Sequence, residues 1–195
     1  MPRSSAAAEA AASQTPRFLT FEVGDRGFAL PLSQVREVLP MAVLADAPGL
    51  PPFVQGLLDL GAAEPPLPVL RLDRLFPGPE APGLPGLHTP IVVVTAPGAP
   101  AVGILTSRVQ GISAAPARPL RRADETFNGC AVGILTADEA AQRGEVAVLE
   151  AGNLLLAEEQ ERLARFAEEA ARRRQAVQET PPDAPDAGTA GEQHP

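Results

Sequence analysis

Prolines recur throughout the segment 40–100 of this chain. A proline removes a backbone hydrogen-bond donor and fixes its own φ, so it interrupts helix interiors and central strands alike. Long helices are therefore excluded from this segment, and only short elements fit between its prolines. Runs rich in valine, leucine and isoleucine occupy those spaces. They predict short strands joined by turns.

The sequence RFLTFEVGDRGFALPL, residues 17–32, predicts a β-hairpin. Apolar side chains alternate along residues 18–23, and a Gly-Asp-Arg-Gly turn follows before the pattern resumes at Phe28. After the hairpin, Ser33 is positioned to cap a short helical turn that carries Val35 and Val38. Pro40 would end that turn.

Further strands are predicted at FVQGLLDL, LPVLRL, PIVVVTA and EVAVLEAGNLLL. The hexapeptide AVGILT occurs at residues 101–106 and again at 131–136, with different flanking sequences. Two similar buried strands explain this better than an internal duplication. About ten short strands with Gly and Pro between them predict an all-β barrel or sandwich.

The C-terminal part of the chain changes character. Strong helix formers predict an α-helix over residues 157–178. Its apolar residues are spaced by seven, three glutamates lie near its start and three consecutive arginines, 172–174, lie near its end. Leu156, Leu163 and Phe166 would dock this helix either on the strands or on a partner. Residues 1–16 and 179–195 are expected to be a disordered arm and tail, and residues 77–90 a linker.

Composition excludes several classes of function. The chain has no lysine, so it carries no phosphate-loop or Schiff-base lysine. Its net charge of −8 disfavours sequence-independent binding of nucleic acid. A single cysteine fits a reducing compartment. With neither a leucine-rich leader nor a long apolar run, we expect a cytoplasmic protein.

No catalytic, cofactor-binding or metal site is predicted. Cys130 opens an apolar strand, and its possible histidine partners, His88 and His194, lie in segments expected to be mobile. No Cys or His pair has metal-ligand spacing. Around Arg118, an arginine cluster is either a solvated loop or a docking patch for an acidic partner. An enzyme that uses Cys130 is the competing class of function.

The order of these elements over residues 17–156 resembles the CheW-like family of chemotaxis coupling proteins. The opening hairpin and the Val-x-Glu-Val pattern at residues 35–38 are similar to that family's first segments. PPFVQGLLDL is similar to its Pro-x-Phe-x-x-Gly motif, with Asp59 in place of the usual Asn. LPVLRL, PIVVVTAPGAPAVGILTSRVQGI and EVAVLEAGNLLL resemble its later strands.

The resemblance implies two small SH3-like five-stranded β-barrel subdomains packed together, followed here by the C-terminal helix. It also implies a non-catalytic adaptor without a cofactor, recruited to membrane-associated receptor arrays. Its partners would be the regulatory domain of a CheA-type histidine kinase and the cytoplasmic tip of a methyl-accepting chemoreceptor. A divergent paralogue that binds only one of these partners, in a motility or developmental pathway, is the alternative.

Matching positions give the interaction candidates, several of which are equally explained as core residues. They are Val35, Glu37, Val38, Leu57, Leu58, Asp59, Gly61 and Val109. In the family an Arg-Gly pair usually follows the leucine at position 60, near the glutamate of the Val-x-Glu-Val pattern. Gly61 and Ala62 stand there in this chain, and the following loop is two residues longer. The resemblance therefore implies that stretch 56–70 is a coupling surface that has been rebuilt or partly lost.

Overall fold

The computed structural model of the chain describes residues 15–46, 48–61, 64–76, 86, 88–120, 129–135 and 145–179. Within them lie twelve strands and two α-helices. The strands are β1 (Arg17–Val23), β2 (Arg26–Pro31), β3 (Val35–Leu39), β4 (Leu44–Ala45), β5 (Val54–Leu58), β6 (Leu67–Arg71), β7 (Ile91–Ala96), β8 (Ala99–Leu105), β9 (Arg108–Ala114), β10 (Ala117–Pro119), β11 (Ala131–Leu135) and β12 (Val146–Leu149). The helices are α1 (Leu72–Leu75) and α2 (Ala157–Glu179).

The strands form two six-stranded sheets, in the orders β10-β11-β12-β2-β1-β9 and β3-β7-β8-β6-β5-β4. The prediction of a β-rich fold with a C-terminal helix is confirmed. Each sheet has six strands where five were predicted, because the short strands β4 and β10 extend the sheet edges. The predicted disordered arm and tail lie almost entirely outside the described residues.

The chain does not complete one sheet before it begins the other. Strands β1 and β2 pair with strands from the second half of the sequence, whereas β3 to β8 form the other sheet. The chain therefore changes sheet after β2 and again after β8. Most of the predicted linker, residues 77–90, lies outside the described residues, and the strands on either side of it, β6 and β7, belong to the same sheet.

The predicted hairpin is present as β1 and β2. Val23 pairs with Arg26, so the turn is Gly24-Asp25, and Gly24 has a φ of 63° that favours glycine. Both faces of β1 are buried: Leu19 and Phe21 join the core between the two sheets, and Phe18 joins a smaller outer cluster.

Three apolar clusters hold the fold together. The largest combines side chains from both sheets with Leu163 of α2. A second lies within the β3–β8 sheet, where Leu39 of β3 and Leu44 of β4 pack against the same buried group. Because β3 and β4 are the opposite edges of that sheet, it must curl to bring them together, as expected of a small barrel.

The residues after β2 differ from the sequence prediction. Leu32–Gln34 form a single 3-10 turn, and Val35 and Val38 lie on β3 rather than on a helical turn. Strand β3 pairs with β7, where Val38 lies opposite Val92. Valine is β-branched and fits a strand better than a helix, so pairing with β7 decides the conformation.

Helix α2 packs on the core through one side. Leu163 is fully buried and Ala167 nearly so, whereas Leu156 is 44% exposed. Of the two alternatives for Leu156, docking on the strands is therefore not observed, and the preceding Leu154 and Leu155 are buried instead. At the helix start, the backbone N–H of Leu156 donates to Oε2 of Glu159 at 2.8 Å, which is half of a capping box.

Candidate interaction surface

Two of the predicted interaction residues, Leu57 and Leu58, are core residues. They lie on β5 with exposed fractions of 2% and 4%, and Leu58 belongs to the cluster inside the β3–β8 sheet. Both faces of β5 are buried at this point. Neither side chain is available to a partner, so the core alternative applies to both.

Val35 and Val109 are half-buried and pack against the core between the sheets. Val109 lies on β9 between two polar residues that both contact Glu22 of β1. Nη2 of Arg108 is 2.9 Å from Oε2 of Glu22, and Nε2 of Gln110 donates to Oε1 at 2.5 Å. These contacts keep the polar neighbours outside and Val109 toward the core.

Glu37, Val38, Asp59 and Gly61 remain accessible. Val38 is 43% exposed on β3, which is an edge strand of its sheet. Asp59 and Gly61 follow β5, where Oδ1 of Asp59 accepts the backbone N–H of Gly61 at 2.8 Å. Gly61 has a φ of 103°, so its positive φ accounts for glycine here.

An ion pair joins β3 to the β5–β6 loop. Nη1 and Nη2 of Arg36 donate to Oε2 and Oε1 of Glu64, both at 2.7 Å. Nε of Arg36 lies 3.0 Å from Oε1 of Glu37. One guanidinium therefore holds two carboxylates in the fork geometry that arginine suits, and the cluster carries one net negative charge.

This pair also shifts the titration of both groups. The hydrogen bonds from Arg36 lower the pKa of the Glu64 carboxyl below its ordinary value. The same hydrogen bonds raise the pKa of the Arg36 guanidinium. Both side chains are more than a third exposed, so salt will screen the attraction.

Neither Arg36 nor Glu64 was among the residues predicted from the sequence. Glu64 is one of two carboxylates of the β5–β6 loop, with Asp59, and Arg36 occupies the open position of the Val-x-Glu-Val pattern. The sequence signal was the missing arginine after Leu60, because an arginine at the open position of the Val-x-Glu-Val pattern is not a departure from it. The contact between Arg36 and Glu64 depends on the curl of the sheet, which no local pattern encodes.

A second ion pair joins Arg71, a buried residue of β6 in the same sheet, to Asp73. Nε and Nη2 of Arg71 donate to Oδ1 and Oδ2 of Asp73 at 2.9 and 2.6 Å. Arg71 is 7% exposed, and its Nη1 lies 3.4 Å from Oε1 of Gln55. A buried charge must be paired in this way, so we interpret Arg71 as structural.

Cys130, the candidate nucleophile of the enzyme alternative, is completely buried directly before β11. Burial raises the pKa of its thiol to about 11, and a thiol rather than a thiolate is a poor nucleophile. Among the described residues, no group of three His, Cys, Asp or Glu side chains is arranged to hold a metal ion.

A comparison with curated proteins gives no match. A comparison with solved structures does, and it agrees with the architecture described above. The solved structure of the scaffolding protein TtCheW from Thermoanaerobacter tengcongensis has a TM-score of 0.58 and 17% sequence identity. The alignment covers 70% of this chain and 90% of that protein, and at such identity it shows a shared fold.

No helix in the described part of the chain is long and apolar enough to span a membrane. A family model described as the CheW-like domain matches residues 17–160, which include every described strand. Because this match extends over most of the sequence, the chain belongs to the CheW-like family.

Proposed function

We propose that this chain is a non-catalytic scaffold that couples chemoreceptors to a CheA-type histidine kinase in the cytoplasm. The observation that carries the proposal is the CheW-like match over residues 17–160. It coincides with a fold of two sheets in which the edge strand β3 keeps an exposed apolar residue, Val38, as the edge strand β9 does with Ile112.

The β3 surface, which we define as Arg36, Glu37, Val38 and Glu64, is the part of this scaffold assigned to the kinase. Val38 supplies an exposed apolar side chain, and the ionic cluster beside it supplies a polar border. Protein interfaces combine an apolar centre with a polar rim in this way. The regulatory domain of the kinase, which the resemblance implies to be of related fold, is the partner proposed for this surface.

The Arg36–Glu64 pair supports a surface that has been rebuilt rather than lost. The resemblance places an arginine after Leu60, where this chain has Gly61. The bidentate contact nevertheless exists, with the guanidinium on β3 and the carboxylate on the loop. A paralogue that binds only one partner remains the second candidate, and the absence of the usual arginine favours it.

The enzyme alternative has less support. It requires a reactive group in an accessible cleft, whereas Cys130 is buried and protonated at neutral pH. Arg71 with Asp73 and Arg108 with Glu22 each join one guanidinium to one carboxylate, and Arg36 joins two carboxylates. These arrangements suit structure and recognition.

The test is isothermal titration calorimetry of the full chain with two purified probes. One probe is the cognate kinase regulatory domain and the other is a fragment of the chemoreceptor tip. We expect binding to both. Binding to the receptor fragment alone would support the one-partner paralogue, and binding to neither would reduce the family assignment to a statement about fold.

A matched pair of substitutions locates the kinase contact. Val38 and Leu156 have nearly equal exposed fractions of 43% and 44% but lie on different parts of the molecule. We expect Val38→Arg to weaken binding to the kinase domain about tenfold or more and Leu156→Arg to change it less than about twofold. Equal effects of the two substitutions would remove β3 from the proposed surface.

A further inference from the structure

Gln34 forms hydrogen bonds to a turn that lies 116 residues away in the sequence. It ends the 3-10 turn Leu32–Gln34, through which the chain passes from β2 to β3 in the other sheet. Its Nε2 donates to Oε1 of Glu150 at 2.5 Å, and its Oε1 accepts the backbone N–H of Ala151 at 2.9 Å. Reversing this amide would oppose two donors and two acceptors, so its orientation is fixed. The start of β3 is therefore attached to the 3-10 turn Ala151–Asn153.

The turn Ala151–Asn153 is itself anchored to the core. The backbone N–H of Glu150 donates to the carbonyl oxygen of Cys130 at 2.8 Å, and Cys130 is fully buried. The turn also lies close to β7, because a Cβ at Gly152 would be 3.5 Å from Cβ of Ala96. Strand β7 pairs with β3. The turn therefore supports β3 directly and through its neighbouring strand.

Helix α2 is attached to this same turn. Nε2 of Gln160 donates to the carbonyl oxygens of Gly152 at 3.3 Å and of Leu155 at 3.1 Å. Leu155 is buried, and Leu163 of the next helical turn is fully buried in the core between the sheets. A continuous series of hydrogen bonds thus leads from the first turns of α2 to Gln34 and the start of β3.

Helix α2 also supports the second segment of the β3 surface. Glu64 and Leu163 line the same small groove, so the helix lies against the β5–β6 loop that carries Glu64. Nη2 of Arg162 donates to the carbonyl oxygen of Gly49 at 2.6 Å, which attaches the helix to the β4–β5 loop. The two segments joined by the Arg36–Glu64 pair are therefore both in contact with elements held by one helix.

Few contacts hold the helix in place. Of its described side chains, only Leu163 and Ala167 are buried. An isolated helix of this length is marginal in water, so loss of these contacts would release and unfold it locally. Most of α2 also lies beyond the stretch 17–160 that the family model matches. The helix is thus an element with a docked and a released state.

We infer that α2 is a strap that sets the affinity of the β3 surface for the kinase domain. When docked, it holds β3 and the β5–β6 loop in one fixed arrangement. A surface that is already ordered binds more tightly, because less ordering is needed at binding. This inference rests on the proposed assignment of the β3 surface to the kinase. No residue of α2 belongs to that surface, so the helix acts through Gln34 and the loop.

The first test needs no partner and uses the Glu64 carboxyl as the reporter. The hydrogen bonds from Arg36 lower its pKa, so separation of the two segments should return the pKa toward its ordinary value. We expect this in an NMR titration of Leu163→Ala, with faster hydrogen exchange in α2. The matched control is Leu135→Ala, which truncates a buried leucine in the outer cluster of the other sheet and should leave the Glu64 pKa unchanged. Faster exchange in α2 with an unchanged Glu64 pKa would overturn the strap.

The second test is calorimetry of the full chain with the kinase regulatory domain. We expect Leu163→Ala to weaken binding about fivefold, whereas Leu135→Ala should stay within about twofold of wild type.

Gln34→Met removes both hydrogen bonds of Gln34 and keeps a side chain of similar length. We expect it to weaken kinase binding about threefold, and to have less effect in the Leu163→Ala background because both changes act through the same contacts. Gln110→Met is the control, since Gln110 hydrogen bonds to Glu22 in the other sheet. Independent effects of Gln34→Met and Leu163→Ala would contradict a common route.

A third measurement uses the reciprocity of coupled equilibria. If docked α2 favours kinase binding, the bound kinase domain must favour docked α2 by the same factor. Hydrogen exchange of α2 amides should therefore slow when the wild-type chain binds the kinase domain, although the helix lies outside the binding surface. A helix with a purely structural role would not respond.

The outcomes separate this inference from the proposed function. If the wild-type chain binds the kinase domain, and Leu163→Ala and Gln34→Met bind as tightly with unchanged exchange in α2, the strap is overturned and the scaffold function stands. If the wild-type chain does not bind the kinase domain, the scaffold function and the effect on affinity fall together. The Glu64 titration then decides whether α2 holds the two segments together.

Discussion

Arg36 and Glu64 form a bidentate ion pair across 28 residues of sequence, with the cation on β3 and the carboxylate on the β5–β6 loop. The family resemblance implies the opposite placement, with an arginine on the loop near the glutamate of the Val-x-Glu-Val pattern. Here Glu37 is retained and also contacts Arg36. The chain therefore has an ion pair between the same two segments with the charges exchanged.

Because the two charges are exchanged relative to the family, substitutions at Arg36 and Glu64 have predictable effects on binding. We expect Arg36→Glu to weaken binding to the kinase domain roughly threefold to tenfold, because three carboxylates would then face one another. The double variant Arg36→Glu with Glu64→Arg restores the pair in the orientation usual for the family. It should recover most of the affinity in calorimetry. A double variant no better than the single one would show that the orientation of the pair matters, not only its presence.

The pH dependence of this pair follows from the lowered pKa of Glu64. Its contribution to the free energy of unfolding is fully present above the ordinary glutamate pKa of 4.5. It is lost as the pH falls from there through the lowered folded value. We expect urea unfolding to show wild type more stable than Glu64→Gln at pH 7, with a smaller difference at pH 3.

An NMR titration tests whether Arg36 causes the lowered pKa of Glu64. The carboxyl carbon of Glu64 should titrate below pH 4.5 in the wild-type chain, and Arg36→Gln should return it toward the ordinary value. In 1 M NaCl the wild-type pKa should also rise, because both side chains are partly exposed. A Glu64 pKa that does not respond to Arg36→Gln would show that the pair does not form in solution.

The sequence predicted those features that depend on neighbouring residues. The alternation along β1 and the Gly24 turn located the hairpin, and the helix formers of residues 157–178 located α2 to within one residue. Val35 and Val38 were assigned to a helical turn, because the stabilising contact with β7 comes from residues more than 50 positions away. Pairing with β7 was not visible in the local pattern.

The candidate surface was less predictable for the same reason. Leu57 and Leu58 are consecutive apolar residues, and only a strand that is buried on both faces places both of them in the core. In a strand where apolar and polar residues alternate, the sequence distinguishes the buried from the exposed side chains. Strand β5 has no such alternation. Arg36 and Glu64 meet because the sheet curls, so their pairing required the three-dimensional fold.

Cys130 should be inert in the folded chain. A thiol with a pKa of about 11 is about 0.1% ionised at pH 8, and the side chain is fully buried. We expect the thiol reagent DTNB to react with Cys130 only after urea unfolds the chain. Cys130→Ala should cost about 1 kcal/mol of stability, and Cys130→Ser more, because it buries a hydroxyl group.

Rapid labelling of the native chain at pH 8 would contradict this interpretation and restore Cys130 as a candidate reactive group. Partner binding gives an independent check. Because Cys130 belongs to the buried core and none of the β3 surface residues does, Cys130→Ala should bind the kinase domain with unchanged affinity.

The attachment of α2 depends on Leu163. This side chain is fully buried in the core between the sheets, so Leu163→Ala should cost about 2–5 kcal/mol in urea unfolding. Leu156→Ala is the control and should cost less than about 1 kcal/mol, because Leu156 is 44% exposed. Equal costs would mean that the helix is not docked in solution.

The repeated hexapeptide AVGILT gives the last prediction, because its glycines face different neighbours. A Cβ at Gly103 on β8 would lie 2.8 Å from Cγ2 of Ile91, a fully buried side chain. A Cβ at Gly133 on β11 would lie 2.9 Å from the carbonyl oxygen of Arg118 on β10, a three-residue edge strand that is largely exposed. The edge strand can move outward, whereas the core around Ile91 is enclosed.

We therefore expect Gly103→Ala to destabilise the chain by about 2–3 kcal/mol, the usual cost of overpacking a core, and Gly133→Ala by about 1 kcal/mol. Urea unfolding of the two variants measures both values. Hydrogen exchange should also show faster exchange in β10 and β11 for Gly133→Ala alone. The reverse ranking would mean that β10 is held more firmly than an edge strand of this length, and that the pairing of β10 with β11 is a main support of the first sheet.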